Sequence, residues 1–360
     1  MMTSKRTRYK SFVLSFVAVV STGCAIIMAV NYYIDPLWCF GIPNTYFGYY
    51  PDVDARLQKT NRITFGSGRY DTLILGSSRT EHIYQNGFAG YNAFNYAVPS
   101  IYPQELSDFI TYFRKVNPGP LKAIIIGLDF YGTNVNGIDR RSRLKEYVAK
   151  YQDTFYRFRL LLAFDTLKYS IKTVRQNFGK YYYDRNNNKI LAITDRKLAD
   201  TERRNQIEKF TEVINNYRYD KSYGETLAAL KKQNNNTRMI IFTTPVSEPY
   251  FRLLVRDHFN DYEKWLRDVI SVFGGVYNFM YINSVTSNLD NYADLHHFYP
   301  NIGLMIAKKI TGRSGSSLPA DFGAYITEQT IDDHLAMIRS QISGKKGEFS
   351  GQVIAPGLKP

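Results

Sequence analysis

The pattern of apolar and polar positions divides the chain into one long apolar run, a polar connection, and a series of short apolar runs separated by helical spacing. Lys5, Arg6, Arg8 and Lys10 precede an uncharged apolar stretch from about Phe12 to Val30. That length is close to the ~20 residues a helix needs to cross a bilayer. Residues 31–70 are rich in Pro, Gly, Tyr and Asn and predict a connection with little regular structure. From Asp71 the pattern changes. Residues 72–76 (TLILG), 93–96, 121–128 (LKAIIIGL), 238–242 (RMIIF) and 276–282 read as strands. Residues 103–115, 250–273 and 302–310 carry helical spacing between them. Strands alternating with helices predict an α/β fold with a parallel sheet. The ligand site of such a sheet lies beyond the carboxyl ends of its strands.

The charge flanks orient the apolar run. Basic residues before it and Tyr32, Tyr33 and Trp38 after it predict an N-terminus left in the cytoplasm and a main domain exported, periplasmic or extracellular. A cleaved signal peptide wants a shorter apolar core, whereas residues 25–30 continue this one. A lipoprotein signal wants Leu where Ser21 stands, three residues before Cys24. The organisation read from the chain is therefore a basic tail (1–10), a single transmembrane anchor (11–33), a juxtamembrane connection (34–70), an α/β domain (71–312) and a linker with a C-terminal tail (313–360). The α/β domain carries a charged, Tyr-rich insertion, helical in parts, at about 135–236. The tail contains one amphipathic helix near 326–342.

Composition sharpens this in three ways. The formal charge of +14 favours anionic partners such as headgroups or envelope polymers, and no nucleic-acid motif is present. The 30 tyrosines against 2 tryptophans suit stacking on sugars, and equally suit half-buried packing. The two cysteines, Cys24 and Cys39, leave no disulfide framework for the main domain. No His/Cys cluster has metal-ligand spacing, and neither a metal nor a cofactor is expected.

The chemistry is concentrated at two places. Gly76-Ser77-Ser78-Arg79 follows the first apolar strand, where a serine on a tight turn would project from the sheet edge. A serine there would also suit a helix N-cap. Asp294-Leu-His296-His297 lies far downstream, just before the closing helix. A serine needs a base to take its proton and a carboxylate to hold that base. Asp294 and His297, three residues apart, could supply both, with His296 the alternative base.

This order, Gly-x-Ser near the domain start and Asp-x-x-His near its end, resembles the SGNH (GDSL-type) hydrolases. It is most similar to their membrane-anchored, envelope-facing branch, which includes alginate O-acetylation proteins and the D-alanyl transfer protein of teichoic acid. The resemblance implies a three-layer α/β/α sandwich of SGNH or flavodoxin-like type, with Ser78 as nucleophile, His297 as base and Asp294 as its partner. It implies oxyanion or substrate contacts from Ser100, where the family has Gly five residues after an Asn (here Asn95), and from Asn134. Arg79 is a further candidate, for an anionic group. His82 and Glu81 read as surface residues, and Asp129 as lying outside the oxyanion hole. The activity implied is an esterase or O-acyltransferase acting on a cell-envelope or extracellular polysaccharide, beside a membrane-bound acyl-transfer or polysaccharide-biosynthesis protein. The alternative is a non-catalytic SGNH-like accessory protein that binds glycan or a membrane partner.

Overall fold

The computed structural model describes residues 2–41, 46–137, 143–151, 153–192, 196–313 and 318–343. These form two compact units, one of residues 1–68 and 145–186, the other of residues 69–144 and 187–360. The stretch expected as a single insertion is thus divided between them. The linker expected at 312–317 falls largely outside the described residues, as does the chain end from 344.

The first unit begins with a helix, Met2–Ile34. Its Thr7–Ile34 portion is long and apolar enough to cross a membrane, its most apolar 18 residues having a mean hydropathy of 2.4. The Asp35 carboxylate stops the chain there by accepting the backbone N–H groups of Cys39, Phe40 and Gly41 at 2.6, 2.9 and 3.1 Å. The next segment departs from the sequence expectation of little regular structure. It contains a strand, Tyr49–Pro51, paired antiparallel with Tyr181–Asp184, and a helix, Ala55–Phe65.

That helix buries Gln58, Lys59, Thr60 and Asn61 rather than an apolar stripe. Gln58 Nε2 donates to the carbonyls of Pro36 (3.1 Å) and Pro51 (2.9 Å), and Asn61 Nδ2 to that of Leu37 (2.8 Å). The Lys59 ammonium sits 5.5 Å from the centre of the Tyr183 ring. Burial here is offset by hydrogen bonds to irregular backbone, so hydrophobic periodicity gave no sign of the helix.

The second unit is a mixed α/β fold on a six-stranded sheet. Its strands are β1 (Thr72–Leu75), β2 (Ala93–Asn95), β3 (Ala123–Leu128), β4 (Arg238–Thr243), β5 (Val276–Asn278) and β6 (Ala324–Ile326), in the order β2-β1-β3-β4-β5-β6. All neighbours run parallel except β5 and β6. β1 and β3 are buried at every position, which is why they read as unbroken apolar runs. β5 is shorter than the 276–282 expected. The tail supplies the edge strand β6, which was not foreseen, and the amphipathic helix expected near 326–342, here Ile331–Ser343, with Ile331, His334, Leu335 and Ile338 buried. Three residues of β6 are too few to show a strand period.

The order β2-β1-β3 reverses direction between β1 and β3. In open α/β sheets that reversal opens a crevice at the carboxyl ends of the two strands. The chain leaves β1 into Ser77-Ser78-Arg79 and leaves β3 into Asp129.

Candidate active site

The turn after β1 depends on Gly76. Its φ of +151° lies where a side chain is rarely tolerated. A Cβ there would collide with the Thr80 side chain and come within 2.9 Å of the Gly127 carbonyl oxygen. The next two serines have separate roles. Ser77 is buried and caps the short helix Ser78–Glu81, its Oγ accepting the Arg79 N–H at 3.2 Å. Ser78 is the first helical residue and remains half-buried, with its hydroxyl at the sheet edge.

The other half comes from a pinched loop before helix Pro300–Ile310. Tyr292 and Phe298 form an antiparallel bridge, and the Ala293 N–H donates to the His297 carbonyl at 2.9 Å. This brings Asp294 and His297 to the loop tip. Asp294 Oδ1 accepts the backbone N–H groups of His296 (2.9 Å) and His297 (2.7 Å). Asp294 Oδ2 lies 2.7 Å from His297 Nδ1, and His297 Nε2 lies 2.9 Å from Ser78 Oγ. Burial opposes charge on Asp294. The His297 imidazole, its hydrogen bond and His296 outweigh burial and hold the carboxyl well below the usual carboxylate range. An ionised Asp294 can only accept from Nδ1. The His297 proton is therefore assigned to Nδ1, leaving the Nε2 lone pair for the serine hydroxyl.

No protein-family model matches this chain, and no curated protein is similar enough to count as a relative. The site must be read from its own geometry.

Side chains from distant parts of the chain brace the loop. Arg203 Nη2 donates to the carbonyls of Leu289 (2.8 Å) and Tyr292 (2.7 Å). Gln206 Oε1 accepts the Leu295 N–H at 3.0 Å, and Ser247 Oγ donates to the Leu295 carbonyl at 2.7 Å. On the serine side, Asn95 Nδ2 donates to the carbonyls of Thr80 (3.0 Å) and Ile83 (2.8 Å), tying the short helix to the end of β2. Nothing in the sequence marks Arg203 or Gln206, because their targets are backbone atoms more than eighty residues away.

Several expected placements differ in the structure. His82 and Glu81, read as surface residues, are both 1% exposed. The short helix leaves only Ser78 partly open and buries Arg79, Thr80 and Glu81. Glu81 pairs with Lys189 at 2.9 Å. The His82 ring meets that of His297 edge-on, 5.7 Å between centres. Burial first, then His297 and Lys189, push the His82 pKa well below its ordinary value.

Arg79 is buried rather than open to an anion. Its Nη1 lies 2.8 Å from Asp129 Oδ1 and 3.4 Å from Thr244 Oγ1, and its guanidinium stands 5.5 Å from the Tyr131 ring and 6.0 Å from the Tyr250 ring. Asp129 thus lines the base of the site as the counter-charge of Arg79. Asn134 Oδ1 accepts the backbone N–H groups of Asn136 and Arg218, both at 3.1 Å, so this oxygen holds two loops together. Ser100 is exposed on the turn after β2 with φ +53°. Ser78, His297 and Asp294 are brought together by hydrogen bonds, whereas Arg79 and Asn134 make contacts of their own.

His296 packs on Phe210 and Tyr250, with ring centres 5.1 and 5.9 Å away. Asp294, His296 and His297 also bring one ligand atom each within 4.8 Å of one another, a spacing that could hold a metal ion and that the sequence did not suggest. The Asp294 oxygens and both ring nitrogens of His297 are engaged in the hydrogen bonds above. The arrangement as it stands can deprotonate a serine hydroxyl and stabilise the resulting imidazolium.

Proposed function

We propose that this protein is a membrane-anchored esterase or O-acyltransferase of SGNH-like type, with a three-layer α/β/α catalytic domain on the exported side of a cell membrane. The observation that carries the reading is the continuous hydrogen-bond chain Ser78–His297–Asp294, 2.9 and 2.7 Å long, at the carboxyl edge of the sheet. In this mechanism His297 Nε2 takes the Ser78 proton as Oγ attacks an acyl carbonyl. Asp294 stabilises the imidazolium, and His297 returns the proton to the departing alcohol. Water or a sugar hydroxyl then attacks the acyl-serine carbonyl, giving its proton to His297, and the ester bond to Ser78 breaks as His297 returns that proton to Oγ. An anchor beside the envelope, a basic chain and abundant tyrosine support a polysaccharide as the natural acyl donor or acceptor. A membrane-bound acyl-transfer protein would be a fitting partner.

The test is labelling of the full-length protein in detergent with a serine-reactive fluorophosphonate, alongside Ser78→Ala and His297→Gln. Labelling of the wild type that is lost in Ser78→Ala and strongly slowed in His297→Gln is expected. Equal labelling of wild type and Ser78→Ala would sink the nucleophile assignment, and no labelling of any form would favour a non-catalytic accessory role.

A further inference from the structure

Two helices of the first unit, Tyr156–Leu162 and Phe164–Arg175, turn large apolar side chains to the surface; the first also buries Tyr156 and Leu161, whereas the second is built inside out for water. Helix Phe164–Arg175 buries Thr166, Ser170 and Thr173. Its outward stripe holds Phe164, Ile171 and Val174, which are 71%, 42% and 51% exposed. The preceding helix and its cap expose Phe155, Phe158 and Leu162 at 65%, 57% and 46%. These positions are spaced i, i+3 and i+7, so they form one stripe. A soluble helix puts its apolar stripe inward. Small polar residues inward and large apolar residues outward is the pattern of helices packed in lipid.

Both helices pack against the N-terminal helix. Asn31 joins them, with its Nδ2 donating to the Leu161 carbonyl at 2.8 Å and its Oδ1 accepting from Ser170 Oγ at 2.8 Å. The N-terminal helix is partly or fully covered at Cys24, Ile27, Met28, Asn31 and Ile34, one face of its last turns. The ten steps from Cys24 to Ile34, at ~1.5 Å each, make that face about 15 Å long, roughly half the ~30 Å hydrocarbon core. Between 153 and 175 the chain carries five basic residues (Arg157, Arg159, Lys168, Lys172, Arg175) and two acidic ones (Asp153, Asp165). Long basic side chains beside an apolar face can reach anionic headgroups while their stems stay in the apolar layer.

We infer that the two helices form an interfacial membrane platform, seated in the headgroup and upper acyl layer of the bilayer that the N-terminal helix crosses. The apolar face is continuous with the span, and its basic rim matches an anionic lipid surface. The inference rests on the anchor reading of Thr7–Ile34 and is independent of the serine chemistry. The platform would hold this unit flush against the membrane rather than leave it swinging on a single helix.

The experiment uses the full-length chain alone in nanodiscs of phosphatidylcholine and phosphatidylglycerol, with and without bromine on the acyl chains. Tryptophans are introduced as Phe158→Trp and Phe164→Trp in the two helices and Phe16→Trp in the span. Emission is read relative to the parent protein. Loss of emission to bromolipid is expected for the tryptophans at 158 and 164 as for the one at 16, and none in the unbrominated nanodiscs. Quenching at 16 without quenching at 158 and 164 overturns the platform and leaves the anchor standing. Absence of quenching at 16 overturns the anchor and the platform together.

Discussion

Replacing Asp294 by Asn removes one charge from the site and leaves its shape. The consequence follows from which oxygen does what. Oδ1 accepts two backbone N–H groups, from His296 and His297 at 2.9 and 2.7 Å. In the variant that position must remain an oxygen, because an amide NH2 would face two donors. The new NH2 therefore takes the place of Oδ2, 2.7 Å from His297 Nδ1. Nδ1 can then only accept, so the ring proton moves to Nε2, which donates to Ser78 Oγ instead of accepting from it. The base is present, correctly placed and in the wrong tautomer. In a Ser-His-Asp triad this loss is worth roughly 1,000- to 10,000-fold in kcat, or about 4–5.5 kcal/mol of barrier. The loop is still pinned through Oδ1, so the thermal midpoint is expected to move little. The assay is p-nitrophenyl acetate hydrolysis by the full-length protein at neutral pH, together with the rate of fluorophosphonate labelling. Adding Asp294→Asn to Ser78→Ala is expected to cost nothing further, because the residues act as a unit. Activity of Asp294→Asn within a few-fold of wild type, with an unchanged fold, would refute the tautomer argument and the triad with it.

Three further outcomes follow from the same geometry. Asp129→Asn leaves Arg79 buried with its counter-charge removed, and breaking such a pair costs about 3–5 kcal/mol, measurable as a lower urea midpoint; an unchanged midpoint would contradict the pairing. Gly76→Ala forces a Cβ against Thr80 and the Gly127 carbonyl, so loss of fluorophosphonate labelling with a lowered midpoint is expected, and a fully active variant would show that the turn does not need glycine. His82 and His334 are held neutral chiefly by burial, His334 down to about 4 from an ordinary 6.5. The unfolded chain takes up protons at these residues below about 6.5 while the folded one resists, so stability falls as pH drops from 6.5 toward 4, by about 3 kcal/mol for His334 alone. Thermal midpoints across that window should fall for the wild type and fall less for His334→Gln, and parallel curves would contradict it.

The sequence by itself determined the elements whose burial is one-sided or complete. The apolar helix shows because lipid or core tolerates no charge along its length, and β1, β3 and the inner part of β4 show because strands buried on both faces read as apolar runs rich in Ile and Leu. It also placed Ser78 at a strand end and Asp294 three residues before His297, since a local turn carries both. Tertiary structure alone decided the rest. It gave Ser77 the role of a helix cap, and drew Ser78, which the resemblance had already singled out, to His297 across 219 residues. It buried Glu81, His82 and Arg79 against partners at Lys189, His297 and Asp129, none of which lies nearby in sequence. It made a helix of the polar segment Ala55–Phe65 by pairing its amides with distant carbonyls, and turned the apolar stripes of Phe158 and Phe164 outward. The physical reason is the same in each case. Apolar burial is non-directional and leaves a periodic trace in the chain, whereas hydrogen bonds and ion pairs are directional contacts with partners that only the folded chain brings within reach.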